Sequence, residues 1–184
     1  MIDDVWGRMS GDPAAEGYLF KKICPPSPDE ASMRKCRGLC AENACGAYGT
    51  TWGCPPGVGP EAECLGFVRG FPRAAVLMKR FDGIDVGDRD LVEKLGGGHQ
   101  DVCRRFAAEM RRDGHRAVAL SDGGCRYCGQ CSYPGGPCRF PDQMVPSISS
   151  YGIMMDEYMA ANGIDFEFRK DGMTLYGLIL YDGP

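Results

Sequence analysis

The apolar positions of the chain fall into short blocks that predict alternating strands and helices. Residues 73–81 (RAAVLMKRF) and 116–120 (RAVAL) are continuous apolar runs of the kind found in buried strands. Further patterns predict a strand at 17–23 and helices at 61–70, 88–95, 99–113 and 149–162, with the glycines at 96–98 separating the second helix from the third.

The last part of the chain predicts a β-hairpin. Residues 164–168 alternate as a strand, Asp171 and Gly172 form a turn signal, and residues 173–181 read as the return strand. Because strands and helices interleave, we expect an α/β (α+β) fold over residues 1–184: a single domain with a mixed β-sheet, flanked by helices and bearing an antiparallel edge.

The cysteine content indicates a metal-binding or redox function. Eleven of the 184 residues are cysteine, and an odd number excludes a fully paired disulfide set. No secretory signal or membrane-length apolar run is visible, so clustered cysteines indicate metal ligands or redox thiols in a cytoplasmic protein. The net charge of −4 argues against general nucleic-acid binding.

A cysteine-rich loop at 123–141 is the most specific feature. Cys125, Cys128 and Cys131 follow one another at intervals of three residues, and Cys138 comes after a glycine–proline turn. Three closely spaced thiolates and a more distant fourth are typical ligands of one [4Fe–4S] cluster. Structural zinc is the alternative, although zinc sites usually use two separated Cys-x2-Cys knuckles.

Other residues of this loop fit the same interpretation. Positive charge from Arg126 and Arg139 would raise the reduction potential of a cluster, and Tyr127 and Tyr133 would shield it from water.

A second cysteine-rich segment, residues 24–59, has the composition of a loop and is expected to be ordered by metal. Cys36, Cys40, Cys45 and Cys54 are separated by three, four and eight residues, a looser pattern than the first. A second [4Fe–4S] cluster is the preferred interpretation, with zinc or a redox-inert loop as alternatives. Cys24 could replace Cys36 as a ligand.

The remaining cysteines and both histidines are expected to play structural parts. Cys64 and Cys103 lie among apolar neighbours and are predicted to be core residues. His99 and His115 have no cysteine partner nearby in sequence, so each is predicted to be a surface or helix-capping residue.

These motifs resemble an uncharacterised family of predicted metal-binding proteins that is common in anaerobic bacteria and methanogens. The resemblance spans residues 36–168 and rests on Cys40…Cys45-x2-Tyr48-Gly49-x2-Trp52-Gly53-Cys54-Pro55-Pro56, Gly124-Cys125-x2-Cys128-x2-Cys131…Pro137-Cys138-Arg139-x-Pro141, 147–152 and Gly163-Ile164-Asp165. It implies a bound metal in an anaerobic setting but no reaction. Segment 147–152 departs from the family's Ser-x-Glu-Ala-x-Gly pattern by lacking its acidic residue, which removes support for acid–base chemistry there.

The sequence therefore predicts an iron–sulfur protein with one or two [4Fe–4S] clusters that exchanges electrons with a partner redox protein. Two alternatives remain: a redox enzyme that acts on a small-molecule substrate at a cluster, and a binding module whose loops are held by zinc. No residue is nominated as catalytic.

Overall fold

One four-stranded sheet, in the order β1-β2-β4-β3, organises the protein. In this computed structural model, which describes residues 2–183, the strands are β1 (Tyr18–Ile23), β2 (Arg73–Asp82), β3 (Ala117–Ser121) and β4 (Gly172–Tyr181). All three ladders are antiparallel. Within the described residues, parallel pairing is limited to an isolated bridge between Ser121 and Ser147.

Within residues 2–183, five α-helices and three short 3-10 helices accompany the sheet, so the predicted α+β class is confirmed. The α-helices are α1 (Ile2–Met9), α2 (Glu30–Ala41), α3 (Glu61–Arg69), α4 (Arg89–Arg112) and α5 (Met155–Ala161). The 3-10 helices are Pro13–Ala15, Pro141–Gln143 and Ile148–Tyr151. Across residues 2–183, none of the helices is long and apolar enough to cross a membrane.

Both faces of the sheet are buried. Ile179 and Tyr181 of β4 belong to a core group that includes residues of α1 and α4. Leu178 and Leu180, on the opposite face, pack with residues of α2, α3 and α5. A strand that is covered on both sides needs apolar residues at successive positions, which is why 73–81 and 116–120 were recognisable as strands.

The predicted interruption of the long helix is wrong, because α4 runs without a break through the glycines at 96–98. Three glycines cost a helix roughly 1 kcal/mol each relative to alanine. Burial of the next turns offsets that cost, since Gln100, Cys103 and Phe106 are completely enclosed. Tertiary packing therefore overrides the local preference.

The segment at 24–59 is not entirely irregular, because α2 occupies its first half. The side chain of Asp29 caps this helix by accepting a hydrogen bond from the Ser32 backbone N–H at 2.7 Å. Met33 and Cys36, three residues apart, form its buried face. The cap and the spacing were present in the sequence but were obscured by the surrounding glycines, prolines and cysteines.

The helix predicted at 149–162 forms only in its second half, as α5. Gly152 follows the 3-10 helix Ile148–Tyr151 and has φ of 76°, a left-handed conformation that ends the helical turn. The chain then restarts at Met155.

The predicted strand at 164–168 is wrong, although the return strand of the hairpin forms as β4. Residues 164–169 have no regular structure, and β4 pairs with β2 and β3 instead. Phe166 packs on Tyr176 with ring centroids 5.1 Å apart, whereas Phe168 is 94% exposed. The alternation of this segment reflects partial packing rather than a ladder.

Candidate metal centre

The cysteine loop at 123–141 leaves the sheet directly at the end of β3 and is held there by a buried side chain. Gln100 of α4 is fully enclosed. Its amide nitrogen donates to the carbonyl of Gly124 at 2.8 Å, and its amide oxygen accepts the Arg126 backbone N–H at 2.8 Å. The backbone on both sides of Cys125 is therefore fixed to the longest helix.

The four predicted ligands of this loop surround one small cavity. The cavity encloses about 20 Å³, and its lining consists of four cysteines, three aromatic residues and a methionine: Cys125, Cys128, Cys131, Cys138, Trp52, Tyr127, Phe140 and Met144. Apart from the sulfur atoms, the lining is mainly apolar. The folded chain therefore places these four cysteines around one cavity, and sulfur donors in an apolar pocket suit a metal that prefers thiolates.

The side chains do not converge on a single point. Within residues 2–183, no three His, Cys, Asp or Glu side chains are gathered closely enough to hold one metal ion. A tetrahedral zinc site requires Zn–S distances of about 2.3 Å, so the thiols would have to close in to bind one ion.

Aromatic rings form the outer wall of the four-cysteine cavity. Tyr127 and Phe140 meet edge to face with centroids 5.2 Å apart, and Trp52 meets Tyr133 in the same way at 4.9 Å. The guanidinium of Arg104 lies over the Tyr127 ring at 4.6 Å. Tyr127 lies in the cavity wall, as its predicted shielding role requires, whereas Tyr133 packs against Trp52 and is not part of the lining.

The arginines within the loop have partners of their own. Arg126 forms a two-point ion pair with Glu93 of α4, at 2.8 and 3.1 Å. That interaction is the main reason that the pKa of Glu93 is lowered, and the carboxylate offsets much of the positive charge. Arg139 donates to the carbonyl of Gln130. Both side chains therefore fasten the loop as well as supplying charge.

The predicted ligands of the segment at 24–59 lie in different environments. Cys36 lies on the buried face of α2, with its sulfur 3.2 Å from that of Met154. Cys40, near the end of α2, has its sulfur 3.7 Å from the hydroxyl of Ser149. Cys45 is exposed in the following turn.

Cys54 is buried as well, at 5% exposed against 2% for Cys36. Burial, followed by the charges of the neighbouring Cys45 and Cys40 thiols, raises its pKa to about 12. Burial also raises the pKa of Cys36 to about 11, with Cys40 as the next cause. Metal binding would have to displace these protons, because the thiolate is the ligand.

The two cysteine segments are in direct contact. A Cβ atom on Gly53 would lie 2.9 Å from the Cβ of Cys125, so only glycine fits between them. Gly53 also accepts the Ser147 backbone N–H at 2.9 Å. Two predicted metal loops, far apart in sequence, are therefore adjacent in space.

The three remaining cysteines, Cys24, Cys64 and Cys103, are not among the eight preferred ligands. Cys64 is 2% exposed and Cys103 fully enclosed, which confirms that both are core residues. Cys24 is exposed at the end of β1, where its backbone N–H donates to the side-chain oxygen of Asn162 at 2.9 Å and its carbonyl accepts the Tyr158 hydroxyl.

His99 is a core residue, so its predicted surface or capping role is wrong. It is 1% exposed, its Nδ1 lies 3.1 Å from the Tyr18 hydroxyl, and its Nε2 lies 3.6 Å from the Cys103 sulfur. Burial is the main reason that the pKa of His99 falls to about 4. The apolar neighbours of Cys103 four residues later were the available signal, but the glycines before His99 suggested a helix start.

Asp122 occupies the junction between β3 and the cysteine loop. Its carboxylate accepts the Tyr176 backbone N–H at 2.6 Å. Burial raises the pKa of Asp122 to about 7, against the opposing effects of that hydrogen bond and of Arg126. This residue was not among those nominated from the sequence.

An antiparallel α+β fold with two adjoining thiol-rich segments defines a cysteine-rich metal-binding protein. Residues 27–181 match the family model described as "Predicted metal-binding protein (DUF2284)", and the chain belongs to this family. Comparison with curated proteins and with solved structures gave no match.

Proposed function

We propose that this protein binds iron–sulfur clusters, two [4Fe–4S] in number, and passes electrons to or from a partner redox protein. The observation that carries the proposal is that one small, largely apolar cavity is lined by all four cysteines of the loop: Cys125, Cys128, Cys131 and Cys138. Three thiols at intervals of three residues, completed by a distant fourth, suit a cubane whose four irons each need one ligand. When bound, such a cluster supplies one-electron redox chemistry.

The chain's own residues account for the control of reduction potential that an electron carrier needs. Trp52, Tyr127 and Phe140 restrict water around the four thiols, and burial in a low dielectric disfavours added charge. The fixed backbone between Gln100 and Arg126 limits reorganisation of the loop. The close contact between Gly53 and Cys125 would place the two clusters near each other, which supports electron transfer between them within one chain.

The setting that we propose is a reducing, cytoplasmic one. All eleven cysteines carry free thiols, and dense free thiols persist in such a compartment.

Zinc is the competing ligand for the same residues. Family membership supports metal binding without specifying the metal, and four cysteines satisfy a structural zinc ion equally well in number. A zinc-stapled module would hold the two loops together without redox chemistry.

The decisive experiment is to purify the protein without oxygen and to measure iron, acid-labile sulfide and zinc per chain, with EPR spectra before and after dithionite reduction. About eight iron and eight sulfide per chain, with a reducible EPR signal, is the expected result for two clusters. Zinc without iron or sulfide would overturn the proposal and leave the zinc-stapled module.

A further inference from the structure

Of the three glycines inside α4, only Gly96 has a close neighbour at the position of a missing side chain. A Cβ atom on Gly96 would lie 3.0 Å from the guanidinium carbon of Arg126, whereas one on Gly97 or Gly98 would meet nothing within 4 Å. Gly96 is also buried. Since glycine costs a helix stability at every position, the approach of Arg126 gives position 96 a reason for glycine that the other two lack.

A second glycine, Gly123 at the start of the cysteine loop, approaches the same guanidinium. A Cβ atom on Gly123 would lie 2.9 Å from Nη2 of Arg126. The φ angle of Gly123 is 72°, in the left-handed region that favours glycine. The Arg126 side chain, which is 20% exposed, thus lies against two positions that lack a side chain, and we call the space between Gly96 and Gly123 the arginine slot.

Hydrogen bonds hold the guanidinium in the arginine slot from both elements. Its Nε and Nη2 donate to the carboxylate of Glu93 on α4, at 2.8 and 3.1 Å. Its Nη1 donates to the carbonyl of Asp122, at the start of the loop, at 3.0 Å. A planar guanidinium that is bound along two edges has little freedom to rotate, so the positive charge of Arg126 has a fixed position between α4 and the cysteine loop.

Arg126 and Glu93 share a cavity wall with three of the candidate ligands. Both residues line a cavity of about 540 Å³ whose wall also includes Cys125, Cys128 and Cys131. The same three cysteines line the small cavity with the aromatic wall. A centre bound by these thiols would therefore have aromatic rings in one wall and a pair of opposite charges in another.

We propose that the Arg126–Glu93 pair sets the reduction potential of the cluster bound at 123–141, and that Gly96 is a positioning residue that acts through Arg126. This inference rests on the proposed function and deepens it. One electron from the partner redox protein makes a bound cluster more negative by one charge, and fixed charges nearby act on that change. The guanidinium favours the reduced state and the carboxylate opposes it, so the two residues have opposite effects on the potential.

The charge effect is tested by redox titration of Arg126→Gln and Glu93→Gln, followed by EPR. Arg126→Gln should lower the potential of the cluster that Cys128→Ser removes, and Glu93→Gln should raise it. Both variants break the same ion pair, so a merely structural role would shift the potential in one direction or not at all. The control variants Arg105→Gln and Asp12→Asn break another ion pair of α4, which measures 2.6 Å, and should leave the potential unchanged.

The arginine slot is tested by thermal unfolding of the anaerobically purified full chain, a measurement that does not depend on electron transfer. Gly98→Ala should raise the Tm by about 2–4 °C, as expected for alanine inside a helix, and should leave the potential unchanged. Gly96→Ala should lose that gain and shift the potential, because its methyl group displaces the guanidinium. In an Arg126→Gln background, Gly96→Ala should have no further effect on the potential.

Three results would contradict these expectations. Potential shifts of the same sign in Arg126→Gln and Glu93→Gln, or no shift in either, would overturn the charge effect and leave the clusters and the proposed function intact. An equal rise in Tm for Gly96→Ala and Gly98→Ala, with an unchanged potential, would overturn the positioning role of Gly96. A wild type that holds zinc and no iron would overturn this inference together with the proposed function.

Discussion

The indole N–H of Trp52 donates a hydrogen bond to the carbonyl of Gly136 at 3.0 Å, across 84 residues of sequence. Trp52 belongs to one cysteine segment and Gly136 to the other. The same indole ring lines the cavity of the four thiols, so one side chain both joins the two segments and closes the candidate metal site.

Trp52→Phe should loosen this junction. The lost hydrogen bond is worth about 1 kcal/mol in the free energy of unfolding, and the smaller ring should admit water beside Cys128. We expect faster transfer of the metal to a chelator, measured optically under anaerobic conditions. Trp6→Phe is the control, because Trp6 stacks on Phe20 in the opposite core; equal rates of metal loss in the two variants would contradict the role of Trp52.

Gln100→Leu should destabilise the cysteine loop through its backbone. The substitution leaves the Gly124 carbonyl and the Arg126 N–H without their buried partner, at a cost of about 2 kcal/mol or more. Urea unfolding measures this loss, and hydrogen exchange should show faster exchange near residue 126. Gln143→Leu is the matched control, since Gln143 binds Arg104 through its backbone carbonyl. Similar destabilisation in both variants would disprove the anchoring role.

Stability should depend on pH through His99. Its pKa is about 4 in the folded protein against an ordinary 6.5, so the unfolded chain binds the proton more readily. Stabilisation by neutral His99 is therefore complete above pH 6.5 and is lost as the pH falls toward 4, by about 3 kcal/mol in total.

The measurement is the difference in unfolding free energy between wild type and His99→Gln at pH values from 4 to 8. Taking the difference removes the contribution of Asp122, whose raised pKa acts in the opposite direction. The advantage of the wild type should shrink at acidic pH; a constant difference would show that His99 does not titrate as expected.

Cys128→Ser should remove or convert the cluster of the second loop. Its thiol is the middle one of the three at intervals of three residues, and serine is a much weaker ligand for iron. Iron and sulfide should fall by about four each per chain. Cys64→Ser serves as a control that changes a buried thiol outside both loops; unchanged iron and sulfide in Cys128→Ser would remove this cysteine from the ligand set.

Gly177→Ala should be destabilising because β4 passes directly over α4. A Cβ atom there would lie 2.2 Å from the Cys103 sulfur, and such overpacking costs about 1–3 kcal/mol. Combining it with Cys103→Ala removes the clashing atom, so the double variant should be more stable than the sum of the single effects. Strict additivity in thermal unfolding would contradict the close approach.

Local sequence patterns were sufficient to predict the strands that are surrounded by apolar residues on both faces. β3 and the first half of β2 are enclosed on both faces, so their apolar runs identify them without knowledge of the partners. The pattern at 164–168 failed because alternation alone does not provide a neighbouring strand. The prediction divided α4 into two helices because the cost of three glycines can be read from the local sequence. The burial of Gln100 and Phe106, which offsets that cost, cannot.

The sequence by itself determined that this is a metal-binding protein with thiol ligands to offer. The spacing of Cys125, Cys128 and Cys131 keeps their sulfurs close together, independently of the rest of the fold. Only the tertiary structure decided what surrounds each thiol of the segment at 24–59. Cys36 and Cys40 are one helical turn apart and equivalent in sequence, yet one packs on Met154 and the other faces Ser149. That difference depends on where the 147–155 segment docks against α2, and contacts between residues more than a hundred positions apart are not encoded in local spacing.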